Sequence, residues 1–340
     1  MKAIGINWKV PDSDPEGLID LELPKPVSTG RDLLVAIKAV AVNPADLGAR
    51  QRRGDSDKNT ATILGYDAAG VVEAVGLGVD LFKPGDEVYY AGDVNRPGSN
   101  AEYQLVDERI VGRKPTSLDF AQAAALPLTA LTAYEAFFDR LHIDSNGANN
   151  GETLLIIGGA GGVGSIGIQL AKIAGLTVIA TASRPESIGW VQSLGADHVI
   201  SHREPLRPQI EALGLNFIDH IAVFNSMDKH SDAVTDLIRP QGMIVSIVGP
   251  PQPKHLERFM WKSAGFVSEL MFTRAMFQTP DMIEQHHLLN RIAAWIDNGT
   301  IRTTVNEVLT PITAENLREA HAMVKSGSSI GKVVLAEWLS

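Results

Sequence analysis

Residues 153–175 read TLLIIGGAGGVGSIGIQLAKIAG, and this stretch decides the fold of the middle of the chain. An apolar run typical of a strand leads into a glycine-rich turn, a helical pattern follows, and a second apolar run, TVIATA, closes the unit. Glycine is needed because the turn is tight, because a side chain would hold the backbone away from a pyrophosphate, and because helix and strand pack closely. The start of the helix also offers unpaired N–H groups to phosphates. The pattern predicts a dinucleotide site over Gly159, Ala160, Gly161, Gly162, Val163 and Gly164, against the alternative of a glycine-rich turn without a ligand.

The end of the second strand indicates which dinucleotide binds. An Asp or Glu at that corner would accept a hydrogen bond from the ribose 2′-hydroxyl of NADH. This sequence instead places Ser183 and Arg184 there, and no carboxylate appears before Glu186. A guanidinium can hold a 2′-phosphate through two hydrogen bonds. The corner therefore predicts NADPH, with an ordinary exposed arginine at a strand end as the alternative.

The rest of the chain indicates two domains of different class, as expected for 340 residues. Residues 1 to about 128 read as short strands and loops with glycine turns, which favours a compact β-barrel. The periodicity changes to helical over SLDFAQAAALPLTALTAYEAFFDRL, residues 117–141, where apolar residues recur three and four apart. From residue 153 onward strands and helices alternate, which predicts an α/β domain with a doubly wound parallel sheet. We expect the nucleotide to bind in this second domain.

Composition excludes several classes of function. The formal charge is −10, and no run of Lys and Arg forms the basic stripe that nucleic acid requires. No stretch reaches the roughly 20 apolar residues of a membrane span, and the amino terminus lacks the apolar core of a signal peptide, so we expect a cytoplasmic protein. The chain has no cysteine, which excludes disulfides, thiolate nucleophiles and any zinc site that needs sulfur.

Several motifs along nearly the whole chain resemble one family. The sequence resembles the medium-chain dehydrogenase/reductase superfamily, and within it the zinc-free quinone oxidoreductase-like branch, also called zinc-type alcohol dehydrogenase-like. The motifs are GYDAAGVVEAVG, KPGDEV, LTAYEAF, GGAGGVG, LGADHVI and GKVVL. The resemblance implies a GroES-like barrel built from residues 1–128 and 281–340, a Rossmann NADP-binding domain over 129–280, and an active-site cleft where they meet. It also implies a homodimer or homotetramer that pairs near KSAGFVSELMF.

The same resemblance bears on metal. Zinc alcohol dehydrogenases carry three ligands in motifs that are similar to AVNPAD, to LGYDAAG and to the segment before Thr132. This sequence holds Asn43, Tyr66 and Leu128 at those positions. None of the three is a competent zinc ligand. We expect no metal.

The candidate site residues follow from the motifs and the resemblance. Tyr66 is expected to donate a hydrogen bond to the substrate, and Asn43 to position it. By resemblance Thr132 contacts the nicotinamide, while Asn225, Val248 and Gly249, at the ends of two later strands, complete the cofactor contacts. The alternatives are structural. Asn43 before Pro44 could make a turn, Asp46 could cap a helix, Thr132 could be a plain helix residue, and Tyr66 could fill a packing hole.

The predicted function is a zinc-independent, NADPH-dependent oxidoreductase that transfers hydride to a quinone or an α,β-unsaturated carbonyl. The cofactor would supply the reducing chemistry, and the protein would orient it and stabilise negative charge on the acceptor oxygen. The alternatives are a reductase of the alcohol or aldehyde dehydrogenase kind, and a non-catalytic NADPH-binding protein that acts as a sensor or as a crystallin.

Overall fold

The computed structural model describes residues 1–8, 10, 17–53 and 62–339. The chain divides into two compact units. The first comprises Met1–Leu131 and Phe272–Ser340, and the second comprises Thr132–Met271. The sequence predicted these boundaries at 128/129 and 280/281. In the structure the first boundary falls three residues later and the second falls nine residues earlier.

The first unit is a GroES-like domain built on a seven-stranded sheet. Its strands follow the order β14-β15-β3-β4-β5-β7, β6 pairs with β3, and β1 and β2 form a separate antiparallel pair. The strands are β1 (Lys2–Ile6), β2 (Leu18–Glu22), β3 (Asp32–Val42), β4 (Asp67–Val75), β5 (Glu87–Tyr90), β6 (Tyr103–Asp107), β7 (Val111–Arg113), β14 (Val305–Leu309) and β15 (Lys332–Ala336).

Both ends of the chain contribute to this sheet. β15 pairs antiparallel with β3, with Val333 opposite Val42 and Leu335 opposite Val40. These side chains are buried in one apolar cluster, whose burial drives the pairing. The register places Lys332 beside the end of β3, which becomes important for the site below.

The helices of the first unit agree in part with the prediction. The prediction of strands and loops rather than helices was wrong for α1, whereas α2 and α3 lie in the segment from Ser117 onward that was predicted to be helical. These helices, with those near the carboxyl terminus, are α1 (Pro44–Arg53), α2 (Phe120–Ala124), α3 (Pro127–Tyr134), α9 (Thr273–Phe277), α10 (Glu284–Asp297) and α11 (Ala314–Lys325). Pro44 suits the first turn of α1 because that turn needs no donor from its N–H.

The second unit is the α/β domain that the sequence predicts. Its six strands are all parallel and follow the order β10-β9-β8-β11-β12-β13. This is the strand order of the Rossmann fold. The strands are β8 (Thr153–Ile157), β9 (Thr177–Thr181), β10 (His198–Ile200), β11 (Ile218–Val223), β12 (Ile238–Ser246) and β13 (Gly265–Ser268).

Helices connect these strands. They are α4 (Gly162–Ile173), α5 (Pro185–Ser193), α6 (Leu206–Ala212), α7 (Met227–Leu237) and α8 (Leu256–Lys262), preceded by a π-helical turn over Glu135–Arg140. β8 is buried along its whole length, as expected for a central parallel strand. In the part of the chain that the structure describes, no helix is both long and apolar enough to cross a membrane.

Candidate functional site

The glycine-rich turn connects β8 to α4 as the sequence predicts. Gly161 is the N-cap residue of α4 in an extended conformation, and it supplies no side-chain cap. The first N–H groups of a helix lack partners within the helix, so this end can donate to an anion. Gly158, which the sequence analysis did not single out, has φ +88°, a conformation that glycine adopts without strain. Its position directly after the strand was the available signal.

Close packing explains two of the predicted glycines. A Cβ on Gly164 would lie 2.3 Å from the carbonyl oxygen of Gly158, and one on Gly159 would lie 2.9 Å from the Cβ of Ala180. A larger residue at either position would therefore push α4 away from the sheet. The turn has the form that a pyrophosphate cradle requires, with bare backbone at the amino end of a helix.

The corner after β9 holds the residues predicted to recognise the ribose. Arg184 is the N-cap residue of α5, and both Ser183 and Arg184 are partly exposed. The Oγ of Ser183 lies 3.3 Å from Nε2 of His202, which follows β10. A hydroxyl, a guanidinium and an imidazole thus stand together where a carboxylate would favour an unphosphorylated ribose. The position of His202 beside Ser183 is not predictable from the sequence, because only the parallel pairing of β9 and β10 brings the two together.

The ends of β11 and β12 carry the remaining predicted cofactor contacts. A Cβ on Gly158 would lie 3.3 Å from the Cβ of Asn225, so Asn225 stands beside the glycine turn, and its side chain is exposed. Val248 is 45% exposed, and Gly249 has φ +110°. All three lie after the carboxyl ends of parallel strands, the edge at which such sheets bind ligands. Thr132 is a buried residue of α3.

Tyr66, the predicted hydrogen-bond donor, lies immediately before β4. Its side chain is only 4% exposed. Its ring centroid is 4.7 Å from that of Phe272, with the planes tilted by 52°. Gly65 before it has φ +101°, and a Cβ there would meet the side chains of Ser99 and Asn100. The tight turn and the aromatic neighbour fix the position of the phenol ring.

Asn43 belongs to a buried polar network. Its Nδ2 donates to Oδ2 of Asp67 at 2.9 Å, and its Oδ1 accepts a short hydrogen bond from Nζ of Lys332. Lys332 also donates to Asp67 Oδ2 at 2.8 Å and to the carbonyl of Val42 at 3.0 Å. The side chains of Lys332 and Asp67 are 3% and 0% exposed. Both ends of the Asn43 amide are therefore engaged within the protein.

The network connects four segments of the first unit. Oδ1 of Asp67 accepts from the backbone N–H of Leu128 at 2.7 Å, so the carboxylate joins β4 to the start of α3. Oδ2 of Asp46 accepts from the backbone N–H of Asn43 at 2.7 Å, which is the capping arrangement considered above for Asp46. Lys332 and Asp67 are not among the residues predicted from the sequence. Two features could have identified them: a lysine at the start of the apolar run KVVL, and an aspartate directly after Tyr66.

The three positions that correspond to zinc ligands do not form a metal site. Asn43 is committed to Asp67 and Lys332, Tyr66 is packed against Phe272, and Leu128 has no donor atom on its side chain. Among the residues that the structure describes, no group of three or more His, Cys, Asp or Glu side chains could hold a metal ion. The ammonium of Lys332 is a buried cation beside Asn43 and Asp67.

A GroES-like domain and a Rossmann domain in one chain define a two-domain oxidoreductase. Comparison with known families agrees: a model described as zinc-binding dehydrogenase matches residues 194–335, and one described as alcohol dehydrogenase GroES-like domain matches residues 29–116. The chain belongs to the medium-chain dehydrogenase/reductase superfamily.

Individual relatives refine the comparison. A zinc-type alcohol dehydrogenase-like protein of Staphylococcus aureus is 43% identical over 312 residues, which is 92% of each chain. The chloroplastic NADPH-dependent alkenal/one oxidoreductase of Arabidopsis thaliana is 32% identical over 89% of this chain and 71% of its own.

Solved structures show the same fold. A putative zinc-dependent alcohol dehydrogenase of Rhizobium etli has a TM-score of 0.93 and 51% identity, covering 100% of this chain and 99% of its own. The quinone oxidoreductase of Coxiella burnetii has a TM-score of 0.80 and 26% identity, with 99% coverage of both chains.

Proposed function

We propose that this protein is a zinc-independent, NADPH-dependent reductase that passes hydride to a quinone or an α,β-unsaturated carbonyl. The observation that carries the proposal is the corner after β9, where Ser183 Oγ lies 3.3 Å from Nε2 of His202 and Arg184 is the N-cap residue of α5. The Arabidopsis relative is named for NADPH and for alkenals and enones, and the Coxiella neighbour for quinones. Both names fit this chemistry.

The second unit would hold the cofactor along one edge of its sheet. The amino end of α4 would bind the pyrophosphate through backbone N–H groups, since Gly161 brings no competing side chain. Ser183 and Arg184 would bind the 2′-phosphate, and Asn225, Val248 and Gly249 would line the path beyond the turn. Thr132 would contact the nicotinamide ring. NADPH, when bound, supplies the hydride and the reducing equivalents.

Tyr66 is the proposed donor to the acceptor oxygen. The hydroxyl of a neutral phenol can hydrogen-bond an oxygen on which negative charge develops. The turn at Gly65 and the ring of Phe272 hold the phenol in one place, which reduces the entropy lost when it engages the acceptor. Asn43 would act indirectly rather than by contacting the substrate, because its amide is hydrogen-bonded to Asp67 and Lys332.

Zinc independence rests on the side chains at the three relevant positions. An amide in an internal network, a packed phenol and a leucine supply neither the thiolate nor the imidazole that zinc prefers. The Asp67 carboxylate beside Asn43 is already paired with the Lys332 ammonium at 2.8 Å. The proposed acceptors suit this arrangement, because quinones and enones accept hydride readily without a Lewis acid.

Pairing of the second unit with another copy is also part of the proposal. β13 is one of the two edge strands of the parallel sheet. Large apolar side chains are exposed on α8 before it and just after it, namely Leu256, Met260, Trp261 and Leu270. An exposed edge strand beside apolar residues favours association with a further chain. We propose a homodimer or homotetramer, which sedimentation velocity would measure.

The decisive experiment is an acceptor screen with NADPH and with NADH, following the loss of cofactor absorbance. We expect turnover with quinones or enones and a preference for NADPH. Arg184→Ala removes a charge-assisted contact of roughly 1.5–3 kcal/mol, so the KM for NADPH should rise about tenfold or more while the KM for NADH stays nearly constant. Arg239→Ala is the matched control, because Arg239 pairs with Asp219 at the amino ends of the strands. Equal losses for both cofactors would exclude Arg184 as a phosphate ligand, and the absence of NADPH oxidation with every acceptor would refute the proposed activity.

A further inference from the structure

A cavity of about 450 Å³ opens beside the corner after β9. It is lined by residues that follow β10, by residues that follow β11 and by the first turns of α7, including His202, Glu204, Asn225, Ser226, Lys229 and His230. The cavity lies beyond the carboxyl ends of two parallel strands, which is where sheets of this type bind nucleotides. Ser183 and Arg184 could bind a phosphate without help from a histidine. The two imidazoles of the cavity, His202 and His230, therefore need a separate explanation.

Burial and the neighbouring charges favour the neutral form of both imidazoles. Burial lowers the pKa of His202, and the neighbouring cations Arg203 and Arg184 lower it further. Burial also lowers the pKa of His230, with contributions from His202 and Lys229, while Asp228 acts in the opposite direction. Glu204 adds a carboxylate to the lining. Cations therefore outnumber anions around His202, and a dianion arriving there would reverse the balance.

A 2′-phosphate held by Ser183 would be such a dianion. It carries a charge of about −1.5 to −2 near neutral pH. Because His202 Nε2 lies 3.3 Å from Ser183 Oγ, a phosphate oxygen bound to that hydroxyl would be within reach of the imidazole. An opposite charge at that distance favours the protonated imidazole.

We propose that His202 is a further determinant of cofactor specificity, which takes up one proton from solvent as the 2′-phosphate binds between it and Ser183 and Arg184. Discrimination against NADH then increases as the pH falls. This inference rests on the proposed preference for NADPH and makes that preference depend on the protonation of His202. His230 stays neutral, because a second charge beside protonated His202 would be repelled.

The direction of the pH effect follows from the linkage. Without ligand the pKa of His202 lies below its usual value. The bound phosphate would raise this pKa, so the gain in NADPH affinity is absent at high pH and grows as the pH falls through the raised pKa. Protonation of the phosphate itself, with a pKa near 6, opposes the gain at lower pH.

The test is isothermal titration calorimetry at pH 7 in buffers of different ionisation enthalpy, which counts the protons taken up on binding. The ligands are 2′,5′-ADP and NADPH, with 5′-AMP and NADH as controls that lack the 2′-phosphate. We expect net uptake of up to one proton with the phosphorylated pair and none with the controls. His202→Gln keeps a hydrogen-bonding side chain but cannot be protonated, so it should abolish the uptake and leave NADH affinity unchanged. His230→Gln is the matched control and should retain the uptake.

The outcomes separate this inference from the proposed function. NADPH bound more tightly than NADH, with no proton uptake in the wild-type protein, overturns the role of His202 and leaves the cofactor preference intact. Uptake that persists in His202→Gln overturns it equally. Equal affinity for NADPH and NADH in the wild-type protein refutes the cofactor preference, and this inference falls with it.

Discussion

Replacing Asp67 by asparagine should destabilise the first unit strongly. The carboxylate of Asp67 accepts from Lys332 at 2.8 Å, from the amide of Asn43 at 2.9 Å and from the backbone of Leu128 at 2.7 Å. Asparagine has the same shape but no charge, so the Lys332 ammonium would remain buried with only neutral acceptors. Removing one partner of a buried ion pair costs about 3–5 kcal/mol.

Urea unfolding followed by circular dichroism measures this loss, and thermal unfolding should show a fall of roughly 6–20 °C for a unit of this size. Lys332→Met removes the other partner, and the double variant Asp67→Asn with Lys332→Met should recover part of the loss, because no unpaired cation is left. The exposed pair Lys25 and Glu73 lies in the same unit and supplies the control. Glu73→Gln should leave the transition unchanged, since solvent screens that pair.

If Asp67→Asn unfolded at the same urea concentration as Glu73→Gln, the buried ion pair of Asp67 and Lys332 would not stabilise the first unit. The same would follow if the effects of Asp67→Asn and Lys332→Met on the free energy of unfolding were additive. Additivity would mean that the two side chains do not depend on each other, despite the 2.8 Å contact between them.

Three further predictions concern metal, chemistry and pH. Elemental analysis should find no stoichiometric zinc and activity should survive chelator, because Asn43, Tyr66 and Leu128 are poor ligands; one zinc per chain whose removal stops turnover would contradict this. Tyr66→Phe should keep the fold and NADPH affinity but lower kcat/KM about tenfold, or about 1.4 kcal/mol; intact turnover with a lower Tm would assign the hydroxyl to packing instead. Burial lowers the pKa of His321 in α11 to about 4. The contribution of neutral His321 to the free energy of unfolding should therefore be fully present above pH 6.5, the usual histidine pKa, and about 3 kcal/mol of it should be lost as the pH falls to 4. In His321→Asn the loss over this range should be smaller. An equal loss in both proteins would show that another group is responsible.

The sequence by itself determined the second unit. The order of the turn, α4 and β9 is local, and Gly159 and Gly164 are required there because a Cβ at either position would meet atoms of neighbouring residues, such as the carbonyl oxygen of Gly158. Alternation of strands and helices then leaves few arrangements for a parallel sheet. For the same reason Ser183 and Arg184 could be placed at the corner after β9 from their position in the chain alone.

Only the tertiary structure decided the polar network and the histidine corner. Lys332 meets Asp67 across 265 positions of sequence because β15 pairs with β3, and no local pattern specifies which distant strand will close a sheet. His202 likewise reaches Ser183 because β10 lies beside β9. The sequence could name Asn43 as a polar residue, but whether its amide faces a substrate or another side chain depends on groups that folding brings from elsewhere, since a buried polar atom takes whichever partner is within hydrogen-bonding distance.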